Sequence, residues 1–135
     1  MIEWRLIPTE EVGDIWPVVS PILYKAVERD EGKRSLHSLL RELVNDRNQL
    51  WIVFDGEPIG AVVTAILNYP HARTLKVEWL AGERFEEWAH LIKVIEEYAI
   101  SQGCNPVEFS GRPGLAKVLK RYGYETVAVE ARKFI

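Results

Sequence analysis

Two apolar runs, Leu50-Trp51-Ile52-Val53-Phe54 and Ile59 to Tyr69, are joined through Asp55-Gly56-Glu57-Pro58. An Asp-Gly pair between apolar segments predicts a hairpin, because the turn needs positive φ. The second run is apolar on both alternating sets, Ile59, Ala61, Val63 and Ala65 on one and Val62 and Ile66 on the other. Such a strand has no face left for water, which predicts a central strand with covering layers on both sides. At 135 residues, 47% hydrophobic and 27% charged, the chain has the length and composition of one such domain. A domain of that size buries roughly two-thirds of its unfolded surface without a metal or disulfide staple. Cys104 is the single cysteine, so no internal disulfide forms and nothing suggests secretion. Met1-Ile2-Glu3-Trp4-Arg5 lacks the basic and apolar regions of a signal peptide. No apolar run nears the ~18 residues of a membrane span. A net charge of −3, with acids and bases mixed, argues against a nucleic-acid binder. The expectation is a cytoplasmic α/β protein of one domain, residues 1–135.

Around the hairpin, Ile2 to Ile7 alternates and stops at Pro8, a first strand. Thr9 followed by Glu10 and Glu11 supplies an N-cap hydroxyl and first-turn acids. Val12, Ile15, Trp16, Val19, Leu23, Ala26 and Val27 then recur at helical spacing. Pro17 and Pro21 predict a kink or two short helices there. Glu28 to Arg34, with Gly32, reads as a solvated loop. Ser35 caps a second helix bearing Leu36, Leu39, Leu40, Leu43 and Val44. Pro70 to Arg73 reads as a turn and Leu75 to Leu80 as the next strand, ended by Ala81-Gly82. Phe85, Trp88, Ile92, Ile95 and Ala99 predict one long helix stopped at Gly103. Val107-Glu108-Phe109 reads as a short strand, Pro113 to Tyr122 as a helix, and Thr126 to Ile135 as a last strand.

The order β-α-α-β-β-β-α-β-α-β resembles, over the whole chain, the GNAT superfamily of N-acetyltransferases that use acetyl-CoA. The local likeness lies in the Asp55-Gly56 hairpin, the strand–Gly82–helix unit and the ending Leu119-Lys120-Arg121-Tyr122-Gly123-Tyr124. Leu50-Trp51, Glu87-Trp88 and Ser110-Gly111-Arg112-Pro113-Gly114 further resemble short phage- and prophage-encoded members. The resemblance implies a mixed sheet of six or seven strands flanked by about four helices. It also implies a bulged fourth strand that splays from a parallel fifth and admits the pantetheine arm. The pyrophosphate would rest on the loop opening the long helix, where unpaired N–H groups favour an anion. Cofactor contacts are thus expected at Leu80, Ala81, Gly82, Arg84 and Phe85, with Arg112 alongside. The stretch Ala81-Gly82-Glu83-Arg84-Phe85-Glu86-Glu87 keeps one glycine of the family's loop motif, and its glutamates oppose a pyrophosphate. The loop is degenerate.

By the same resemblance Glu78 is the candidate base for the amine. Its alternative is an outward strand residue alternating with Val77 and Trp79. The family's thiolate-protonating tyrosine falls on Leu119, which holds no proton, and Tyr122, three residues on, is the candidate replacement. Tyr122 packing under the last strand is the alternative. Trp79 either fills the slot or walls the acceptor site, while Trp51 and Trp88 read as core. His37, His71 and His90 lack metal-ligand spacing, so no metal is expected, and Cys104 reads as a small buried hydrophobe. The implied activity is acyl transfer from acetyl-CoA or another acyl-CoA to a primary amine on a small molecule or protein. The competing expectation is a non-catalytic structural or interaction protein of the same fold, in the cytoplasm or a phage particle. A homodimer is compatible with either.

Overall fold

Most elements follow from local chemistry and the sheet they join. The computed structural model describes residues 1–28 and 33–135, so the loop expected around Gly32 falls, at 29–32, outside the described residues. Strand β1 (Glu3–Ile7) leads through a 3-10 turn (Thr9–Glu11) into α1 (Val12–Glu28), followed by α2 (Leu36–Val44). Then come β2 (Gln49–Asp55), β3 (Glu57–Tyr69) and β4 (Ala72–Gly82). Helix α3 (Phe85–Trp88), a 3-10 turn (Ala89–Leu91) and α4 (Ile92–Ser101) precede β5 (Val107–Phe109) and α5 (Pro113–Lys120).

The strands lie in the order β1-β2-β3-β4-β5, antiparallel except for the parallel β4–β5 pair. Asp55 opposes Glu57 across Gly56, whose φ of 76° meets the turn's requirement, so the expected hairpin forms. β3 is central. Val63 and Ala61 join the layer of α1 and α2, with Val19, Leu23, Leu39 and Leu43. Val62 faces the opposite layer, where Trp88, Ile95 and Ala99 meet Trp51 and Val77. Trp51 and Trp88 are core, as expected, at 3% and 0% exposure, and Cys104 is buried.

Four details differ from expectation. The sheet has five strands among the described residues, not six or seven, because 126–135 joins no ladder. Alternation permits a strand, but only a neighbouring strand's hydrogen bonds make one. Helix α1 runs unbroken through Pro17 and Pro21, which both lie on its exposed side, so the carbonyls they leave unpaired meet water. The expected long helix is interrupted at Trp88, whose φ of −122° and ψ of 4° leave the helical region. Its indole turns inward, Nε1 donating to the Glu83 carbonyl at 2.8 Å. Thr9 lies in the 3-10 turn with Pro8 at the cap position, and its hydroxyl donates to Asp46 at 3.0 Å. Ser35 does cap α2, in a reciprocal box with Ser38.

Candidate functional site

β4 changes character at Glu78. Thr64 opposes Val77 and the next β3 residue, Val63, opposes Trp79, so Glu78 is an extra residue: a β-bulge. The bulge reverses the strand's phase. Val77 belongs to the α4 layer, whereas Trp79 belongs to the α1–α2 layer. The fourth strand therefore carries the bulge that the resemblance implied, and the alternative reading, Glu78 alternating simply with Val77 and Trp79, does not hold. Pairing with β5 ends at the same place, with Val77 opposite Phe109. From Glu78 to Gly82, β4 is paired on its β3 side only, which leaves a slot beyond β5. The Glu83 N–H donates to the Ile59 carbonyl at 2.9 Å. Counting back by twos, Ala81 and Trp79 also bond toward β3. Leu80 and Gly82 consequently turn their N–H and carbonyl groups into the slot.

On the α1–α2 side, Glu78 is held by Arg34. Nη1 lies 2.7 Å from Glu78 Oε2 and Nη2 lies 3.1 Å from Glu42 Oε2 of α2. The same guanidinium lies over Trp79, 4.8 Å from the ring centroid. Trp79 is buried beneath it and so forms a wall on this side. Arg34 was not among the sequence-level candidates; it is 44 positions from Glu78, a separation that spacing rules do not read.

At the end of β4, Gly82 has φ +129°, and a Cβ there would lie 2.5 Å from the Gly60 Cα and overlap the Ile59 carbonyl oxygen. Gly60 in turn leaves room for Trp88, whose ring would lie 2.8 Å from a Cβ at that position. Both glycines thus serve close packing of β3, β4 and α3. Arg84 opens α3 with φ 60°. Its guanidinium is clamped by Asp55 at 2.8 Å and Glu87 at 2.6 Å. The two carboxylates push the Arg84 pKa up, and hydrogen bonds from Arg84 hold both carboxyls below their usual range. Phe85 is half-buried, its ring edge-on to Trp88 at 4.8 Å. Glu86 is paired with Arg121 at 3.0 Å. The cation nearest this loop thus already serves two carboxylates.

Arg112 is exposed at the start of α5. Leu119 is buried, and Tyr122 is half-buried just past the helix, its N–H donating to the Leu119 carbonyl at 2.9 Å. Tyr124 is committed elsewhere: its hydroxyl donates to Glu96 of α4 at 2.6 Å and its ring lies edge-on to Phe109. The hydroxyl of Tyr122 has no hydrogen-bond partner among the described residues. Glu78, Leu80 and Gly82 share one strand end. Arg84 and Phe85 follow in the next loop, and Arg112 and Tyr122 flank α5. His37, His71 and His90 are all exposed. No group of three His, Cys, Asp or Glu suited to a metal occurs among the described residues. Among those residues, no helix is long and apolar enough to cross a membrane. A cleft of about 210 Å³ lies on the β1 side of the sheet, between Ile7, Thr9, Asp46, Asn48 and Tyr98, away from β4 and β5.

No protein-family profile matches this sequence, and no curated protein does. Solved structures do match along the whole chain. A transcriptional regulator from Bacillus halodurans C-125 gives a TM-score of 0.73 at 13% identity, with 100% of both chains covered. An aminoglycoside acetyltransferase from an uncultured soil metagenomic sample gives 0.72 at 13%, over 100% of this chain and 99% of that one. A GCN5-related N-acetyltransferase from Ralstonia eutropha JMP134 gives 0.68 at 14%, over 99% of each. The chain has the GNAT fold, a mixed α/β architecture with, among the described residues, a five-stranded sheet and helices on both faces.

Proposed function

We propose that residues 1–135 form an acyltransferase-fold domain that transfers an acyl group from acetyl-CoA, or another acyl-CoA, to a primary amine. The observation that carries this reading is the coincidence at one residue of the β4 bulge and the end of β4–β5 pairing. An acyl-pantetheine arm entering the slot would find the open backbone groups of Leu80 and Gly82, with Ala81 between them. N–H groups fixed on a strand can polarise a thioester carbonyl without reorganising. Phe85 and the two arginines, Arg84 and Arg112, lie toward the outer end. For Arg84 to meet a phosphate, it must leave Asp55 and Glu87.

On the acceptor side, Glu78 takes the proton that the attacking amine loses, directly or through a water. Arg34 keeps the Glu78 carboxylate oriented, and Trp79 walls the approach. The bond formed is the amide, the bond broken is the thioester C–S bond, and the leaving thiolate takes a proton from Tyr122 or solvent. Small-molecule and protein amines both remain within this reading, as do cytoplasmic and phage-particle settings. The test is turnover of acetyl-CoA with a panel of primary amines, comparing wild type with Glu78→Gln and Tyr122→Phe after circular dichroism has shown all three folded. Glu78→Gln is expected to lower turnover by roughly a hundredfold and Tyr122→Phe by roughly tenfold. Wild-type turnover matched by Glu78→Gln would remove Glu78 from the mechanism.

A second reading, a non-catalytic binding protein of the same fold, draws on the Arg84 clamp and the three glutamates at the loop. Absence of turnover in the wild type, with every amine, would favour it.

A further inference from the structure

The cleft beside β1 lies where the chain passes from α2 into β2. Asp46 takes the left-handed turn that stops the helix, with φ 60° and its N–H donating to the Leu43 carbonyl at 3.2 Å. That turn sets the Asp46 side chain against Thr9 of the facing 3-10 turn, whose hydroxyl donates to Oδ1 at 3.0 Å. Oδ2 accepts no hydrogen bond from the described residues, and Asp46 forms no ion pair among them.

Asn48, two residues on, is a second polar wall. It is only 5% exposed, and its Nδ2 donates to the Thr64 carbonyl at 3.2 Å, which fixes the end of the amide that faces β3. Thr64 is held in turn: its hydroxyl donates to Gln49 Oε1 at 2.9 Å and accepts from Trp51 Nε1 at 3.1 Å. The Asn48 Oδ1 accepts nothing from the described residues, yet it is not sealed from solvent. This oxygen of an otherwise buried side chain therefore opens into the cleft that Asn48 lines. A buried amide with an unused acceptor calls for a partner. Tyr98 lines the cleft from α4, its ring edge-on to Trp51 at 5.2 Å. Its phenol is pushed up first by burial and then by the Asp46 carboxylate, so the two side chains share one neighbourhood. The apolar lining includes Ile7, Val12, Leu43 and Leu50, all buried.

We propose that this cleft is a second binding site, for a small organic cation with N–H donors and an apolar body: an amidinium or primary ammonium on a ring or short chain. Asp46 is the only charged residue among the described ones that line it. A monocation neutralises that charge, and an anion is repelled by it. The open oxygens of Asp46 and Asn48 are acceptors, so the ligand must bring the donors. The volume, about 210 Å³, is below the roughly 300–1,000 Å³ of sites for drug-sized ligands. One ring or a short chain against the apolar lining fills it. The site is independent of the acyl-transfer reading, since Glu78, Leu80 and Gly82 are not among its lining residues.

The test is calorimetric titration of the full chain with benzamidine, benzamide and benzoate, probes of one shape that carry a positive, no and a negative charge. Benzamidine is expected to saturate one site per chain, with benzamide weaker by about tenfold and benzoate without detectable binding. Asp46→Asn keeps a residue that tolerates the left-handed turn. It should weaken benzamidine by about tenfold, to the level of benzamide. Thr9→Arg supplies Asp46 with a cation of the chain's own and should abolish saturation, which keeps the test decisive if Asp46→Asn fails to fold. Circular dichroism checks each variant first. Glu78→Gln should leave the affinity unchanged. A wild type that does not saturate up to the solubility of benzamidine overturns the proposal. So does benzamide binding as tightly as benzamidine, or folded Asp46→Asn and Thr9→Arg variants that bind like wild type. Loss of binding in Glu78→Gln overturns it too, since the cation would then occupy the slot at β4.

Discussion

Gly82 answers to its neighbours more than to any loop motif. A methyl group there would collide with the β3 backbone at Ile59 and Gly60, at a φ that L-residues rarely adopt. Gly82→Ala is expected to cost about 1–3 kcal/mol, read as a lower midpoint in urea unfolding; an unchanged midpoint would mean that β3 and β4 separate there. The glycine was legible as important in the sequence, but its reason was not, since Ile59 is distant along the chain. Tyr124 gives a pH signature. Burial, and then the hydrogen bond to Glu96, push its phenol well above the ordinary value near 10. The folded state therefore holds the proton more tightly than the unfolded chain. That stability is fully present below the unfolded pKa and is lost as pH rises beyond it. Urea midpoints of wild type should accordingly fall on going from neutral pH to above 10, and Tyr124→Phe should flatten that part of the decline. Parallel declines in the two proteins would show that Tyr124 does not contribute.

At the scale of elements, the bulge in β4 separates two functions of one strand. Residues up to Val77 hold β5, and residues after Glu78 hold only β3. Deleting Glu78 leaves Val77 and Trp79 as successive residues opposite Thr64 and Val63, on the faces they already occupy. The deletion variant is thus expected to melt cooperatively, with a midpoint within a few degrees of wild type, yet to lose acyl transfer. A variant that fails to fold would show that the bulge is needed for the sheet itself. The spacing of Leu75 to Leu80 by itself reads as ordinary alternation, and only the family resemblance implied the bulge, because a bulge is a property of two strands in register that one strand's spacing cannot contain. By contrast the double-faced apolar pattern of β3 was legible, since burial on both sides leaves its mark on every position. The prolines of α1 misled for a related reason. Their cost depends on whether the freed carbonyls meet water, which is decided by the helix's orientation on the sheet.

For the whole molecule, ligand linkage offers a direct check on the proposed function. Acetyl-CoA at ten times its dissociation constant would stabilise the folded state by about 1.4 kcal/mol, a rise in Tm of roughly 4–6 °C for a chain of this size. The rise is expected to shrink in both Arg84→Ala and Arg112→Ala. Equal rises in wild type and both variants would place the anionic end elsewhere. How the elements succeed one another was readable from the chain, because each strand and helix carries its own periodicity. What joins distant elements was not: the Arg34–Glu78 pair spans 44 positions. The guanidinium of Arg34 resting on the Trp79 indole has an optical consequence. A cation over an indole face alters its emission, and Trp4, Trp51 and Trp88 cluster in the other layer. An acceptor that displaces Arg34 would therefore announce itself in the intrinsic fluorescence of the unlabelled protein, titratable in a cuvette before any product is formed.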